Sequence, residues 1–500
     1  MVAQLEKNAQ PGHQAPVNPR DSLGAGRLGT AALVFMIIAA SAPLTVLAGG
    51  VPTNFAVSGL LGVPWSYLAL GLILVFFAVG YGVMSSRIQN SGAFYAYISE
   101  GLGNRQGIAA AILALVAYNM MQVGLFGIFG FSLANLLNGW FGTSIPWWAA
   151  AAAGWLLIAV MGVRNVDFSA KVLGVLVALE FAVVIVVSIV ALNVAPEGVT
   201  AQTVMPDQFF ANGIGVLLAF GIAAFMGFES GAIYSEEARD PERTVPKATY
   251  IAVGIIALFY AASSWAFAQG VGPLQIIEQS MELGPDLVFV WLGEYSAIGA
   301  NIANVLFVTS LIAALVAFHN AAARYFFSLG RSRILPGVFA KASASGAPVA
   351  GSLAQTVIGA IVLIGFAIAG ATTQLGADLD AMFPILTLFT WLTNAAAFGL
   401  VFLLAVTSVS IMVRLNKDKT FGIFTRIIAP LIATVGLATV FILVMLNFPL
   451  MIGDTGSAAL VWVMPGIILG SGVLGLIWGE YLRRARPQIY AGLHDQLDQH

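Results

Sequence analysis

Two glutamates stand where a chain of this composition can least accommodate charge. Glu180 lies within VLVALEFAVV and Glu229 within GFESG, and they are the only two of the 23 Asp and Glu placed deep in apolar stretches. An acid at the centre of a membrane helix costs roughly 2.5 to 3.5 kcal/mol on insertion scales, so it marks a functional position by default. A low-dielectric surrounding penalises the charged form of a carboxyl, which suits the group to carrying a proton near neutral pH. The plainer alternative is a protonated glutamate tied to a backbone carbonyl for packing.

The elements that must hold these groups are membrane helices. The chain is 59% hydrophobic and 9% charged, with mean hydropathy +0.92, outside the range of a soluble domain of 500 residues. With no cysteine, disulfides, thiolate zinc sites and iron-sulfur clusters are excluded. Of four histidines only His319 is near an apolar segment, so a histidine metal centre is not expected. Neither an Asp pair nor a Ser-His arrangement occurs in the apolar stretches, which argues against an enzyme, and no Walker sequence points to ATP. Neither a bound cofactor nor a nucleic-acid partner is expected.

Windows of about 20 apolar residues, the length that crosses the hydrocarbon core, predict twelve spans. They lie near 28–57, 65–86, 107–138, 145–163, 170–194, 211–236, 247–270, 297–328, 348–371, 379–413, 425–448 and 458–482. Drawn this way, all 21 Lys and Arg fall on one face, from Arg27, Arg87 and Arg105 through Arg243 and Arg331 to Arg483. The opposite loops carry only acids, such as Glu197, Asp207, Glu278, Asp286, Asp378 and Asp454. Because cytoplasmic segments collect basic residues, the expectation is a multi-pass protein of the cytoplasmic membrane with both termini cytoplasmic. Residues 1–25, rich in Pro, Gln and Asn, read as a disordered tail. The span before residue 60 is too long for the core of a cleaved signal peptide, so the chain is expected to be used whole.

Two of the spans are interrupted. In AASAPLTVLAGGVP, Pro43 removes a backbone donor and disfavours helix at Ala42. In the sixth span, Gly221, Gly227 and Gly231 each lower helix propensity by about 1 kcal/mol relative to alanine. Non-helical backbone at membrane depth survives only where protein covers it or it lines a cavity. The breaks are five spans apart, so they occupy equivalent places in two units of opposite orientation, which is the sequence pointer to a secondary transporter's site. Half-helix ends there can hold an anionic group at an N-terminus or an ammonium at free carbonyls. A mere proline kink plus close glycine packing is the competing account.

The stretch GFESGAIYSEEARDPERTVPKA (Gly227–Ala248) strongly resembles the sixth-span signature of the amino acid, polyamine and organocation permeases. NSGAFYAYISEGLG (Asn90–Gly103), GVRNVDFSAK (Gly162–Lys171) and FHNAAARYFFSLGRSRILP (Phe318–Pro336) resemble that family too. The resemblance covers about residues 25–415. It implies an all-α, twelve-helix membrane protein with a 5+5 inverted-repeat core, broken helices one and six, two extra C-terminal helices and alternating access. The core would be 26–415, with repeats over 26–196 and 206–415, followed by extra helices over 416–484 and a cytoplasmic tail over 485–500.

By position, the resemblance places substrate between Ser41, Ala42, Pro43, Leu44 and Thr45 on one break and Phe225, Met226, Gly227, Phe228 and Ser230 on the other. Facing side chains would come from Asn119 and Gln122, and from Trp391 or Asn394 in the tenth span. Glu229 matches a family acid just below the substrate, a candidate for proton sensing or inner gating. Two departures stand out. Many members have a glycine-rich first break where this chain has Ser41 to Leu44, and several proton-coupled members place a lysine where it has Glu180. An acid at that position suits proton cycling, or a cation site with Thr309 and Ser310. The expected activity is proton-coupled transport of a small amino acid or related amine, with sodium coupling, exchange and polyamine transport as alternatives. A nutrient sensor or channel would be a different class.

Overall fold

The computed structural model describes residues 26, 28–88, 90–163, 166–343, 346–373, 380–453 and 457–495, without the side chains of 166–173, 492, 494 and 495. The expected tail over 1–25 and the residues Arg27, Arg164, Asp378 and Asp454 lie outside that description. Apolar composition produces long helices, which tolerate isolated prolines such as Pro246 of the helix Pro241–Val271; they break at Ala42–Pro43 and around Gly227.

The first span is α1 (Thr30–Ser41), α2 (Pro43–Thr45), a π-helical turn and α3 (Val51–Ser58). Then come α4 (Val63–Arg87), α5 (Ala93–Leu102), α6 (Asn104–Phe141), α7 (Trp147–Gly162) and α8 (Val166–Val194). After α9 (Pro206–Phe209), the sixth apolar stretch splits into α10 (Ile214–Ala223) and α11 (Ser230–Ile233). The chain continues with α12 (Pro241–Val271), α13 (Ile276–Leu283), α14 (Leu287–Tyr295), α15 (Ala297–Arg331) and α16 (Val349–Thr372). It ends with α17 (Thr390–Lys417), α18 (Ala429–Ile452), α19 (Leu460–Ala485) and α20 (Pro487–Asp495).

Ten helices among the described residues are long and apolar enough to cross a membrane, and α7 and α10 are shorter apolar helices. The bundle is layered by exposure. The first span and α6 are mostly buried, whereas α16, α18 and α19 turn most of their apolar surface outward, as helices facing lipid do. Inside, α4 packs on α12, and α6 packs on α15, α17 and α19. Small residues set the closest of these approaches: a Cβ at Gly71 of α4 would stand 2.3 Å from Ala257 Cβ of α12. The segment expected as a C-terminal tail is helical through Asp495 and returns to the bundle, with Asn104 Nδ2 donating to the Tyr490 carbonyl (2.9 Å).

Both interruptions fall where local chemistry puts them. Ala42 takes φ 49° just before Pro43, and its N–H closes α1 on the Ile38 carbonyl at 2.8 Å. Gly227 takes φ 98° between α10 and α11, and a Cβ there would lie 2.3 Å from Ala40 Cβ. DPER starts α12 with Pro241 in its first turn, although Asp240 makes no side-chain cap bond.

This packing makes Gly227→Ala a test of the break. Left-handed strain and overpacking against Ala40 together should cost about 2 to 4 kcal/mol, read as a fall of several degrees in apparent melting temperature in detergent. Gly254→Ala, on an α12 surface with no atom within 4 Å, should leave it unchanged or slightly raised.

Candidate functional site

The site begins with the two breaks, because each leaves backbone groups at depth that need partners. Ser41, the last residue of α1, donates its hydroxyl to the Ala224 carbonyl at the end of α10 (2.6 Å) and pairs with the Tyr260 hydroxyl of α12 (2.6 Å). One serine therefore ties both interrupted helices together. On the far side of the first break, Glu180 is wholly buried and accepts from the Leu44 N–H at 3.3 Å. A carboxylate at the N-terminal end of the continuing helix is the favourable sign for the helix dipole. The other Glu180 oxygen has no hydrogen-bond partner. Ser310 stands next to this group, its hydroxyl 3.0 Å from Thr45 Oγ1, while Thr309 turns its hydroxyl back onto the Leu306 carbonyl of its own helix. Of the candidate cation pair, only Ser310 thus reaches across to the break.

Glu229 closes the second break on itself. Its Oε2 accepts from the Gly227 N–H at 3.1 Å, and its Oε1 accepts from the Tyr118 hydroxyl of α6 at 2.5 Å. Its backbone carbonyl accepts from the Tyr81 hydroxyl of α4 at 2.8 Å. Through its carboxyl and its backbone carbonyl together, Glu229 joins α4 and α6 to the second break. Tyr81 and Tyr118 are functional neighbours that spacing could not reveal, since they lie 148 and 111 residues away.

A cavity opens beside the Ser41 tie. Ser41, Ala42 and Thr45 line it from the first break, and Phe220, Ala223 and Ala224 from the end of α10. Met121, Ala314 and Phe318 face it from α6 and α15, and Phe389, Thr390, Thr393 and Asn394 from the start of α17. The lining extends along the first span to Thr53, on the side leading to the acid-bearing loops.

Several residues expected at the site lie elsewhere. Pro43 and Leu44 are buried without lining the cavity, and Asn119 donates back to the Leu115 carbonyl of its own helix. Gln122 is occupied by a buried network, with Nε2 3.0 Å from His319 Nδ1 and its carbonyl accepting from Gln355 Nε2, while His319 Nε2 pairs with Ser352 Oγ at 2.7 Å. Phe225, Met226, Phe228 and Glu229 line a second, smaller pocket against Leu400 and Val401. Gly227 and Ser230 line neither pocket. Asn394 faces the main cavity and donates to the Met451 carbonyl, whereas Trp391 points its indole N–H at the Ile452 carbonyl outside it.

Toward the basic face the breaks are sealed. Arg324 of α15 is fully buried and held bidentately by Glu237 (Nε–Oε1 2.5 Å, Nη2–Oε2 3.0 Å), with its guanidinium 4.5 Å from the Tyr234 ring centroid. Arg331 grips Glu236 in the same bidentate way, at 2.6 and 2.8 Å, and Glu236 also accepts from the Ser91 N–H. Leu28, just ahead of α1, forms a parallel backbone bridge with Ala238, pairing with the Glu237 carbonyl and the Arg239 N–H. The bracing on this face is supplied by the Glu236–Glu237 pair that precedes DPER. Burial opposes ionisation of Glu236, but the Arg331 guanidinium outweighs it and holds the carboxyl below its usual range.

Comparison with known proteins gives the same direction. A family model described as amino acid permease matches residues 28–474. The branched-chain amino acid permease BcaP of Lactococcus lactis is 25% identical over 77% of this chain and 83% of its own length. The histidine permease HisP of the same species is 25% identical over 59% of this chain, which spans 64% of that relative. The low-affinity putrescine importer PlaP of Escherichia coli is 23% identical over 61% of this chain and 67% of its own length.

The seal yields a stability prediction. Glu237→Gln leaves a buried guanidinium without its carboxylate and should cost about 3 to 5 kcal/mol. For Glu236, the depressed folded-state value means its contribution is complete above the unfolded value of about 4.3 and is lost as pH falls through the folded one. The melting-temperature gap between wild type and Glu236→Gln should therefore be constant from pH 8 to about pH 5 and shrink below about pH 4. A gap independent of pH would contradict the ion pair.

Proposed function

We propose that this chain, which belongs to the amino acid permease family, moves a small amino acid or related amine across the cytoplasmic membrane by proton-coupled alternating access. In this reading α7 and α10 complete the ten long helices to twelve spans, both termini are cytoplasmic, and the core is a pair of five-span units of opposite orientation. The observation that carries it is the meeting of two interrupted helices, tied by Ser41 to Ala224, at the wall of one cavity.

The physics of the breaks assigns the parts. Both α1 and α10 end at the cavity with their C-terminal, electronegative poles, which suit an ammonium, and the helix restarts at Pro43, its first turn reaching the cavity wall at Thr45 with an N-terminal pole that suits a carboxylate. Substrate would sit against Ser41, Ala42, Thr45, Ala223 and Ala224, with Thr393 and Asn394 opposite. Glu229 carries the coupling step: protonation removes one acceptor oxygen from the pair that holds Gly227 and Tyr118, loosening the second break toward the basic face. Glu180 is the second proton site, its free oxygen next to the first break. Sodium held by Glu180, Ser310 and backbone carbonyls is the alternative coupling ion, and exchange is the alternative to symport. Opening toward the basic face then requires release of the Glu237–Arg324 and Glu236–Arg331 pairs and of the Leu28 bridge.

Uptake into proteoliposomes tests this. An inward proton gradient should drive accumulation by wild type, and Glu229→Gln or Glu180→Gln should lower gradient-driven accumulation at least about tenfold while substrate binding persists. Equal gradient dependence in all three proteins would remove the carboxylates from coupling.

A further inference from the structure

We infer that the cavity selects amino acids whose side chains are uncharged and apolar, and excludes cationic and anionic ones. Membership of the family leaves this open, since its relatives are named for substrates as different as putrescine, histidine and branched-chain amino acids. The inference rests on the cavity being the transport site proposed above.

The lining decides the matter. No Asp, Glu, Lys, Arg or His among the described residues faces the cavity. Its hydroxyls are already committed: Ser41 to the Ala224 carbonyl, Thr45 to Ser310, Thr53 to the Gly49 carbonyl. Thr390 donates to the Ile385 carbonyl, Thr393 to the Phe389 carbonyl, and the Asn394 amide to Met451. Bonded in this way, Thr53, Thr390 and Thr393 have no hydroxyl proton left to offer a ligand and can only accept. The rest of the wall is Val46, Met121, Leu125, Phe220, Phe318 and Phe389 with glycines and alanines.

The two intramembrane carboxylates do not compensate. Glu229 faces the smaller pocket with both oxygens engaged, and Glu180 lies behind the first break, bonded to Leu44, which is not part of the cavity wall. The backbone poles of the breaks can serve the amino and carboxylate ends common to all amino acids, and the hydroxyl and Asn394 oxygens add neutral acceptors with no charge. A lysine ammonium or the second amine of a diamine would meet neutral hydroxyl and amide oxygens but no carboxylate, and a charge without a counter-charge in a mostly apolar site is disfavoured. An apolar side chain gains by the same contacts, and a single missing methylene in such pockets changes selection by 10- to 200-fold.

The experiment is uptake of radiolabelled alanine, valine, leucine, phenylalanine, lysine, glutamate and putrescine, each alone, into proteoliposomes, with ligand-induced thermal stabilisation measured on the same panel. At least one apolar amino acid should be transported, and lysine, glutamate and putrescine should run at least about 100-fold slower. Thr393→Asp, which places a carboxylate on the wall, should raise lysine uptake relative to leucine at least about tenfold. Comparable wild-type uptake of lysine or putrescine, or a selectivity unmoved in folded Thr393→Asp, would overturn the inference. Absence of flux for every compound would strike the transport reading instead. In that case stabilisation by apolar amino acids alone would still support the selectivity, and stabilisation by lysine or putrescine, or by nothing, would overturn it.

Discussion

Every unpaired backbone N–H or carbonyl at membrane depth costs several kcal/mol, and this constraint organises the centre of the protein. Two helices stop and restart there, and three buried side chains meet the groups so released. Ser41 takes the Ala224 carbonyl, Glu180 the Leu44 N–H and Glu229 the Gly227 N–H. Each comes from a helix other than the one it satisfies or from the other end of the break, so satisfying the backbone also fixes how α1, α8, α10 and α12 sit together. The acids in the membrane are not isolated charges. They are parts of the scaffold whose protonation state bears on the geometry they hold.

The same arrangement is asymmetric across the membrane. On one side of the Ser41 tie lies a cavity running along the first span toward the acid-bearing loops; on the other lie the Glu229–Tyr118 bond, the Arg324 and Arg331 pairs and the Leu28 bridge. A buried ion pair gains little net stability, because desolvation offsets most of its attraction, but breaking it on one side alone is costly. Such pairs suit a gate that must hold one geometry firmly and yet be exchangeable for another of similar energy. In the proposed cycle, closure toward the basic face depends on groups that leave and return together.

Much of this was legible in the sequence where the cause is local. Pro43 predicts the break at Ala42, the glycines around Glu229 predict the second, and hydropathy places the helices within a few residues of where they lie. What the sequence withheld depends on faces. Helices this uniformly apolar carry almost no amphipathic pattern, so nothing indicated that Gln122 turns toward His319 or that Thr393 turns toward the cavity, and only the family resemblance pointed to Asn394. The Gly-Phe-Glu-Ser stretch was expected to line the main site, yet the half-turn at Gly227 directs Phe225 and Phe228 into a second pocket and leaves Phe220 and Ala224 at the first. Partners of Glu229 on α4 and α6 are likewise tertiary facts.

In the proposed cycle one cavity, walled by both breaks, opens to one face at a time. Because the chain has no cysteine, Thr390→Cys places a single thiol on that wall. Its reaction with a membrane-impermeant thiol reagent should be measured from each face of oriented proteoliposomes, with and without transported amino acid. Reaction is expected from the acidic face, slowed by substrate, and from the basic face only during turnover. Equal reaction from both faces without substrate, or labelling that no amino acid slows, would contradict that cycle.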